Sequence, residues 1–442
     1  MNRCLGRDRF VPAFLEPHLP CIMRTNLLVI GASARWFAES AARVGWQVAA
    51  LDLFADQDLE EACSQVIRLS PAEYPAAIPA RAAQLPPGPV VYGGGLENHP
   101  QVLARLAADR PLVGNRPVTL RKIRQPAGLA ALAAAAGWHF PETHTDSAGL
   151  PTDSTFLQKP LASAGGQGIA RWTAGRQPAP AACWQRLVAG VPLSVSLLLG
   201  TERPRLLGLC RQFVGRPWCH AAPFGFGGGV ELLLPGPAEP LRQSLERLLE
   251  QLAGQTRLAG LVGVDFILPR SRPGKSPQPT LIEINPRPTA TMELIERRTG
   301  TSLAAAQLAA FGWSSPEPPP SPTAGQSFWA KAILCGRAAV TVTAELDQQL
   351  CLLVEPTRAA AEADVPLLAD RPVVGSQIDG GRPILTILAA AATPAAAVHR
   401  LRRRIRLLSR LLDADEPRAA RNQPASRRGS AGASAAARNC IR

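Results

Sequence analysis

Two apolar stretches in the middle of this 442-residue chain carry acids where a core strand should be apolar. Leu261-Val-Gly-Val-Asp-Phe-Ile-Leu268 and Thr280-Leu-Ile-Glu-Ile-Asn-Pro-Arg287 read as strands joined by the Pro/Gly/Ser-rich stretch 269–279. A buried carboxylate is costly without a partner. Strand period 2 sets Glu283 and Asn285 on one face, and antiparallel pairing brings Asp265 alongside, so that three hard oxygen ligands meet. That pattern predicts a Mg2+ (or Mn2+) site, because Mg2+ in nucleotide enzymes takes few protein ligands and leaves the rest to water and phosphate. The alternative is that Asp265 pairs with Arg287 and Glu283 caps a loop.

A second segment, Thr155-Phe-Leu-Gln-Lys-Pro-Leu-Ala-Ser-Ala-Gly-Gly-Gln-Gly-Ile169, reads as a strand, a lysine and a glycine-rich loop. Glycines let successive backbone N–H groups close on an anion, and the lysine adds a point charge. Lys159, Ser163, Gly165, Gly166 and Gly168 are thus the candidate phosphate clamp. No Gly-Lys-Ser/Thr follows, so it is not a Walker A loop; taken alone, such a stretch is as often a mobile hairpin.

Around these segments the chain alternates strand-like and helix-like runs from Leu27 to about Asn115, which predicts a parallel α/β unit. Its first turn, GASARW, has one glycine and does not match G-x-G-x-x-G, which disfavours a dinucleotide. The expected organisation is an N-terminal extension (1–24), an α/β domain (25–115), a nucleotide domain (116–323), a small C-terminal α+β domain (324–412) and a basic disordered tail (413–442). Met23, just before the first strand, is the expected translation start.

Net charge is +14, but the last 42 residues hold eleven arginines against three acids, +8 of that total, with no interleaved aromatics. The tail therefore reads as a solvated extension, not a nucleic-acid arm. The longest uncharged stretch, near 129–140, is too short and alanine-rich to span a membrane. Nine cysteines without a C-x-x-C pair suggest neither a disulfide framework nor a zinc knuckle, and fit a reducing cytoplasm.

The glycine loop with Lys159, the GVDFIL strand and LIEINPRPTATMELIER together resemble the ATP-grasp superfamily, in particular its branch of uncharacterised carboligases related to biotin carboxylase. The resemblance implies an ATP-grasp fold over about residues 25–390, an α/β (α+β) architecture, ATP as cosubstrate and commonly a homodimer. It implies that Lys159 reaches the α/β-phosphates and that Lys122, or failing it Arg124, is the second cation. Gln185, Leu187 and Val188 would form the adenine-reading hinge, and Arg287 would stabilise charge on the acyl phosphate. Many relatives carry Glu where Gln185 stands. The implied activity is ligation of a small-molecule carboxylate to an amine through an acyl phosphate, with ADP and phosphate released. Alternatives are a biotin-carboxylase-like carboxylase, for which Ala363-Asp-Val-Pro and GRPILTIL speak, and a non-catalytic ATP-binding module. Glu97 and His99, just after a predicted strand, either face the acceptor substrate or lie in a surface turn. Cys219-His220 is a nucleophile pair or packing, and Phe224–Gly229 a substrate loop or a flexible turn.

Overall fold

The computed structural model describes residues 25–201, 203–270, 277–318, 327–354 and 367–414. The extension 1–24 with Met23, the segment Ala363-Asp-Val-Pro and the tail beyond Ala414 lie outside the described residues.

The first region forms a parallel sheet of β1 (Asn26–Gly31), β2 (Gln47–Asp52), β3 (Gln65–Arg68) and β4 (Val90–Tyr92), in the order β3-β2-β1-β4. Strand β1 shows why it is parallel. Leu27 and Val29 share a core with Trp36, Phe37 and Ala41 of the helix Arg35–Ala42. Leu28 and Ile30 share the opposite one with Val102, Leu103 and Leu106 of the helix Pro100–Asp109. Both faces are covered, as parallel sheets require. Strand β3 escaped the sequence reading, since four half-buried or exposed residues carry no clear period.

A small antiparallel sheet follows, with β5 (Thr143–His144), β6 (Asp153–Pro160), β7 (Ala170–Thr173) and β8 (Ala182–Arg186) in the order β5-β8-β6-β7. The glycine loop joins β6 to β7. The remaining strands are β9 (Val191–Leu199), β10 (Arg205–Val214), β11 (Phe226–Leu232), β12 (Gly260–Leu268), β13 (Thr280–Asn285), β14 (Phe328–Cys335), β15 (Val340–Thr341), β16 (Leu367–Ala369), β17 (Gln377–Ile378) and β18 (Pro383–Ala391). Apart from the β15–β17 ribbon, they form one eight-stranded antiparallel sheet, β13-β12-β9-β10-β11-β14-β18-β16. One face of its first half is buried under the helices Pro126–Ala135 and Pro240–Gln255 through Leu129, Leu132, Leu245, Leu248 and Leu252. The helix Pro394–Ala414 covers the second half through Ala397, Leu401, Ile405 and Leu408.

The strands expected for a small C-terminal domain therefore extend the central sheet instead of building one of their own. The seam is Gly228↔Ala332, Gly229↔Lys331 and Val230↔Ala330. Gly228 makes it possible: its φ is +115°, and a Cβ there would lie 2.2 Å from the Lys331 carbonyl oxygen.

The N-terminal sheet is joined to the central one by buried charges. Arg35, whose side chain is 2 % exposed, donates from Nη1 and Nη2 to Glu293 at 2.9 and 3.0 Å and from Nε to Asp370 at 2.9 Å. Lys331 Nζ donates to Glu293 at 2.7 Å. Burial works to raise the Glu293 carboxyl pKa, but Arg35, Lys331 and Arg297 overcome it and hold the group well below its ordinary range. An acid with a depressed folded pKa stabilises above its unfolded value and loses that contribution as pH falls. We therefore expect Arg35→Ala to cost at least about 3 kcal/mol near neutral pH, because it strips buried acids of their partner. That deficit should shrink below about pH 4, where carboxylates protonate; urea unfolding at pH 7 and pH 3.5 checks both statements.

Candidate functional site

A cavity of about 720 Å³ is lined by residues of the N-terminal, small and central sheets. On the central sheet, Asp265 lies opposite Ser194 of β9 and Glu283 of β13. These three residues make a polar row on the cavity side, while the flanking Val264 and Phe266 enter the opposite core. The register slips between Asp265↔Glu283 and Phe266↔Leu281, so Ile282 is the extra residue of a bulge and borders the cavity beside Glu283. Bulges re-aim side chains in this way near active sites.

Gln212 Nε2 donates to Asp265 Oδ1 at 2.8 Å, and Asn285 Nδ2 donates to Asp265 Oδ2 at 3.1 Å. Burial, and next the charge of Glu283, push the Asp265 carboxyl up to about 6. The predicted trio therefore converges, with one correction. Asn285 turns its amide nitrogen toward Asp265 and its oxygen toward Arg287 Nη2, 3.1 Å away, so the oxygens offered together are those of two carboxylates. Among the described residues no three His, Cys, Asp or Glu side chains group closely enough to hold a metal. Two carboxylates in mutual repulsion still suit a hard cation completed by water and phosphate oxygens.

Lys159 borders the same cavity from β6, its Nζ donating to Gln185 Oε1 at 2.9 Å, while Gln185 Nε2 donates to Thr143 Oγ1 at 3.1 Å. Gln185 thus steadies the lysine. Leu187 N–H donates to the Thr155 carbonyl at 2.8 Å, whereas the N–H and C=O of the next residue, Val188, have no protein partner among the described residues. In the glycine loop Gly165, Gly166 and Gly168 have φ of +62°, +78° and +73°. A Cβ on Gly166 would lie 2.0 Å from the Phe224 carbonyl oxygen. The loop is fastened on two sides: Phe226 N–H donates to the Gly165 carbonyl at 2.9 Å, and Asn98 Nδ2 to the Ser163 carbonyl at 3.0 Å. Ser163, Gly165 and Gly166 line the cavity; Gly168 packs against Pro160 outside it. The Phe224–Gly229 segment is neither a free loop nor a simple turn, since Phe226 starts β11 and Phe224 supports the glycine loop.

Other expectations need correction. Lys122 is exposed and does not border the cavity, whereas Arg124 does, with Nη1 3.5 Å from Glu283 Oε1. Residues two apart at a helix end point to opposite sides. Arg287 lines the cavity, but three of its N–H groups are engaged, by Glu97 Oε1 at 2.7 Å, Asn285 Oδ1 at 3.1 Å and the Pro288 carbonyl at 3.1 Å. Two remain for an oxyanion. Glu97 is buried and holds Arg287; His99 packs edge-on against Tyr74, and neither lines the cavity. Cys219 is buried with its thiol pKa raised by desolvation, and His220 Nδ1 lies 2.8 Å from the Cys335 carbonyl, so the pair is packing.

The sequence reading missed Gln212, Ser194 and the charges that border the cavity from Arg35, Asp56, Lys331 and Asp370. One signal was available: Lys331 is a lone charge inside the apolar run Phe328–Cys335, and a buried lysine demands an acid.

Residues 129–291 match the family model of the ATP-grasp domain. No curated protein sequence matches the chain. Among solved structures, N5-carboxyaminoimidazole synthetase from Staphylococcus aureus, complexed with ADP, superposes with a TM-score of 0.60 at 14 % identity, over 86 % of this chain and 97 % of its own. Carboxyaminoimidazole ribonucleotide synthase from Aspergillus clavatus, complexed with ATP, gives 0.61 at 14 % identity, over 88 % and 99 %. L-amino acid ligase from Bacillus licheniformis gives 0.56 at 14 % identity, over 88 % and 97 %. At such identities the likeness is one of fold. Residues 129–291 thus match an ATP-grasp domain, and the chain shares the fold of these solved structures.

Proposed function

We propose that this protein is an ATP- and Mg2+-dependent ligase that activates a carboxylate as an acyl phosphate for attack by an amine, releasing ADP and phosphate. The observation that carries the reading is a single cavity bordered by Lys159 and the glycine loop as well as by Asp265 and Glu283. Cationic and N–H donors suit a triphosphate, and the carboxylate pair suits the ion that accompanies it. The open backbone of Val188 suits the edge of a base. ADP and ATP complexes of the structural neighbours favour the same nucleotide here.

Asp265 and Glu283 would hold the ion, with Asn285 beside them, and Gln212 and Arg124 would keep the two carboxylates oriented. When bound, Mg2+ supplies positive charge against phosphate oxygens. Lys159 and the loop N–H groups would hold the phosphates, and the two remaining N–H groups of Arg287 would face the oxyanion formed as the amine attacks. The glycine loop, fastened by Phe226 and Asn98, would exclude the water that hydrolyses an acyl phosphate.

Lys159→Ala and Glu283→Ala should each lower ATP turnover roughly a hundredfold or more while leaving the thermal transition in place. The measurement is ADP release across panels of carboxylates and amines; AMP as the product, or full turnover in either variant, overturns the reading. Gly166→Ala puts an L side chain at φ +78° against a backbone oxygen. A penalty of about 1–3 kcal/mol should weaken ADP binding roughly tenfold, read by calorimetry against the parent.

A further inference from the structure

Behind the turns after β1 and β2 acids outnumber bases, and of this group Asp56, Asp370, Arg35 and Lys331 border the cavity. Asp52, Asp56, Asp58, Glu39, Glu293 and Asp370 gather around Arg35, with Lys331 and Arg297 as the other cations paired into the group. Five of the six acids are satisfied. Asp52 accepts the N–H groups of Ala34, Phe54 and Ala55. Asp58 accepts those of Asp370 and Arg371. Asp370, Glu293 and Glu39 accept from Arg35.

Asp56 is the exception. It is 5 % exposed and borders the cavity; its backbone carbonyl accepts from the Leu59 and Glu60 N–H groups, but its carboxylate has no hydrogen-bond or ion-pair partner among the described residues. It precedes the helix Gln57–Ala62 without capping it. Its neighbour Ala55 is held at φ +52°, a left-handed conformation unusual for alanine, by the N–H bonds to Asp52. Burial, followed by Asp370, Asp52 and Asp58, pushes its carboxyl up to about 9, and Arg35 offsets this only in part. A folded chain gains nothing from such a group, which therefore points to something outside the chain.

We propose that Asp56 receives the ammonium group of the acceptor substrate and takes one of its protons, leaving the free amine to attack, so that the nucleophile handled by this protein is a primary amine or amino acid that arrives carrying a positive charge. This rests on the ligase reading above and narrows it. A substrate carboxylate would meet the surplus of negative charge. A metal ion is disfavoured because the oxygens of Asp52 and Asp58 beside it are already taken up by backbone N–H groups. An ammonium needs one carboxylate and brings the missing counter-charge.

The test is calorimetry on the full chain with ADP and Mg2+ present. Glycinamide and L-alaninamide carry an ammonium without a carboxylate; N-acetylglycine and N-acetyl-L-alanine carry the reverse. The amides should bind, and Asp56→Asn should weaken them about tenfold or more while leaving any binding of the N-acetyl acids, which can take the place of the carboxylate substrate, unchanged. Because an unpartnered acid is removed, Asp56→Asn should also unfold at the parent's temperature or above it. Amide affinity unchanged in Asp56→Asn, N-acetyl acid binding weakened as much as amide binding, or Mg2+ binding that Asp56→Asn abolishes each overturns the assignment. So does a large fall in the unfolding temperature, which would mark the residue as structural. ADP binding separates the two claims: its loss in the parent sinks the ligase reading, whereas ADP binding without amide binding sinks the ammonium anchor alone.

Discussion

Two carboxylates held side by side across neighbouring strands set the terms for the rest of this molecule. Asp265 and Glu283 are cross-strand partners, so the sheet itself keeps the like charges adjacent. Burial, and next the charge of Glu283, hold the Asp265 carboxyl above its usual range. Arg124, Gln212 and Asn285 relieve the repulsion in part, and each comes from a different element. The flanking Val264 and Phe266 sit in a dense apolar core, so the strand cannot rotate its acids away without exposing that core. The repulsion is therefore built in, and a cation is its natural resolution.

The N-terminal sheet meets this centre through charge as well as packing. Arg287 runs from Asn285 to Glu97, Asn98 reaches the glycine loop, and Arg35 with Lys331 closes around Glu293. The contacts of Arg287 with Glu97, Asn98 with Ser163 and Arg35 with Glu293 join residues 190, 65 and 258 positions apart. The cavity is thus assembled from long-range pairs, and its character changes with the part that lines it: Lys159 beside the glycine loop, Asp265 and Glu283 on the central sheet, and both signs of charge, Asp56 and Asp370 with Arg35 and Lys331, beside the N-terminal sheet.

What could be read from the sequence was whatever local periodicity encodes. Asp265, Glu283 and Asn285 interrupt apolar strands at period 2, and Lys159 closes a strand before three glycines; such patterns survive without knowledge of the fold. The parallel unit was legible for the same reason. What was lost depended on tertiary context. Nothing local tells Lys122 from Arg124, because only the direction in which the helix ends decides which one turns inward. Glu97 looks like a surface acid until Arg287 arrives from 190 residues away. The continuity of the large sheet was hidden too, since the partner of β11 lies beyond a proline-rich stretch that reads as a domain boundary.

That continuity has a consequence for the life of the chain. Strands β14, β18 and β16 are added to the edge of β11, and β11 contributes to the support of the glycine loop. A ribosome must pass Cys335, about three quarters of the way along the polypeptide, before the edge of β11 is covered. Until then its backbone N–H and C=O groups stand open to any passing strand, and the nascent protein is at its most vulnerable to sticking to its own kind.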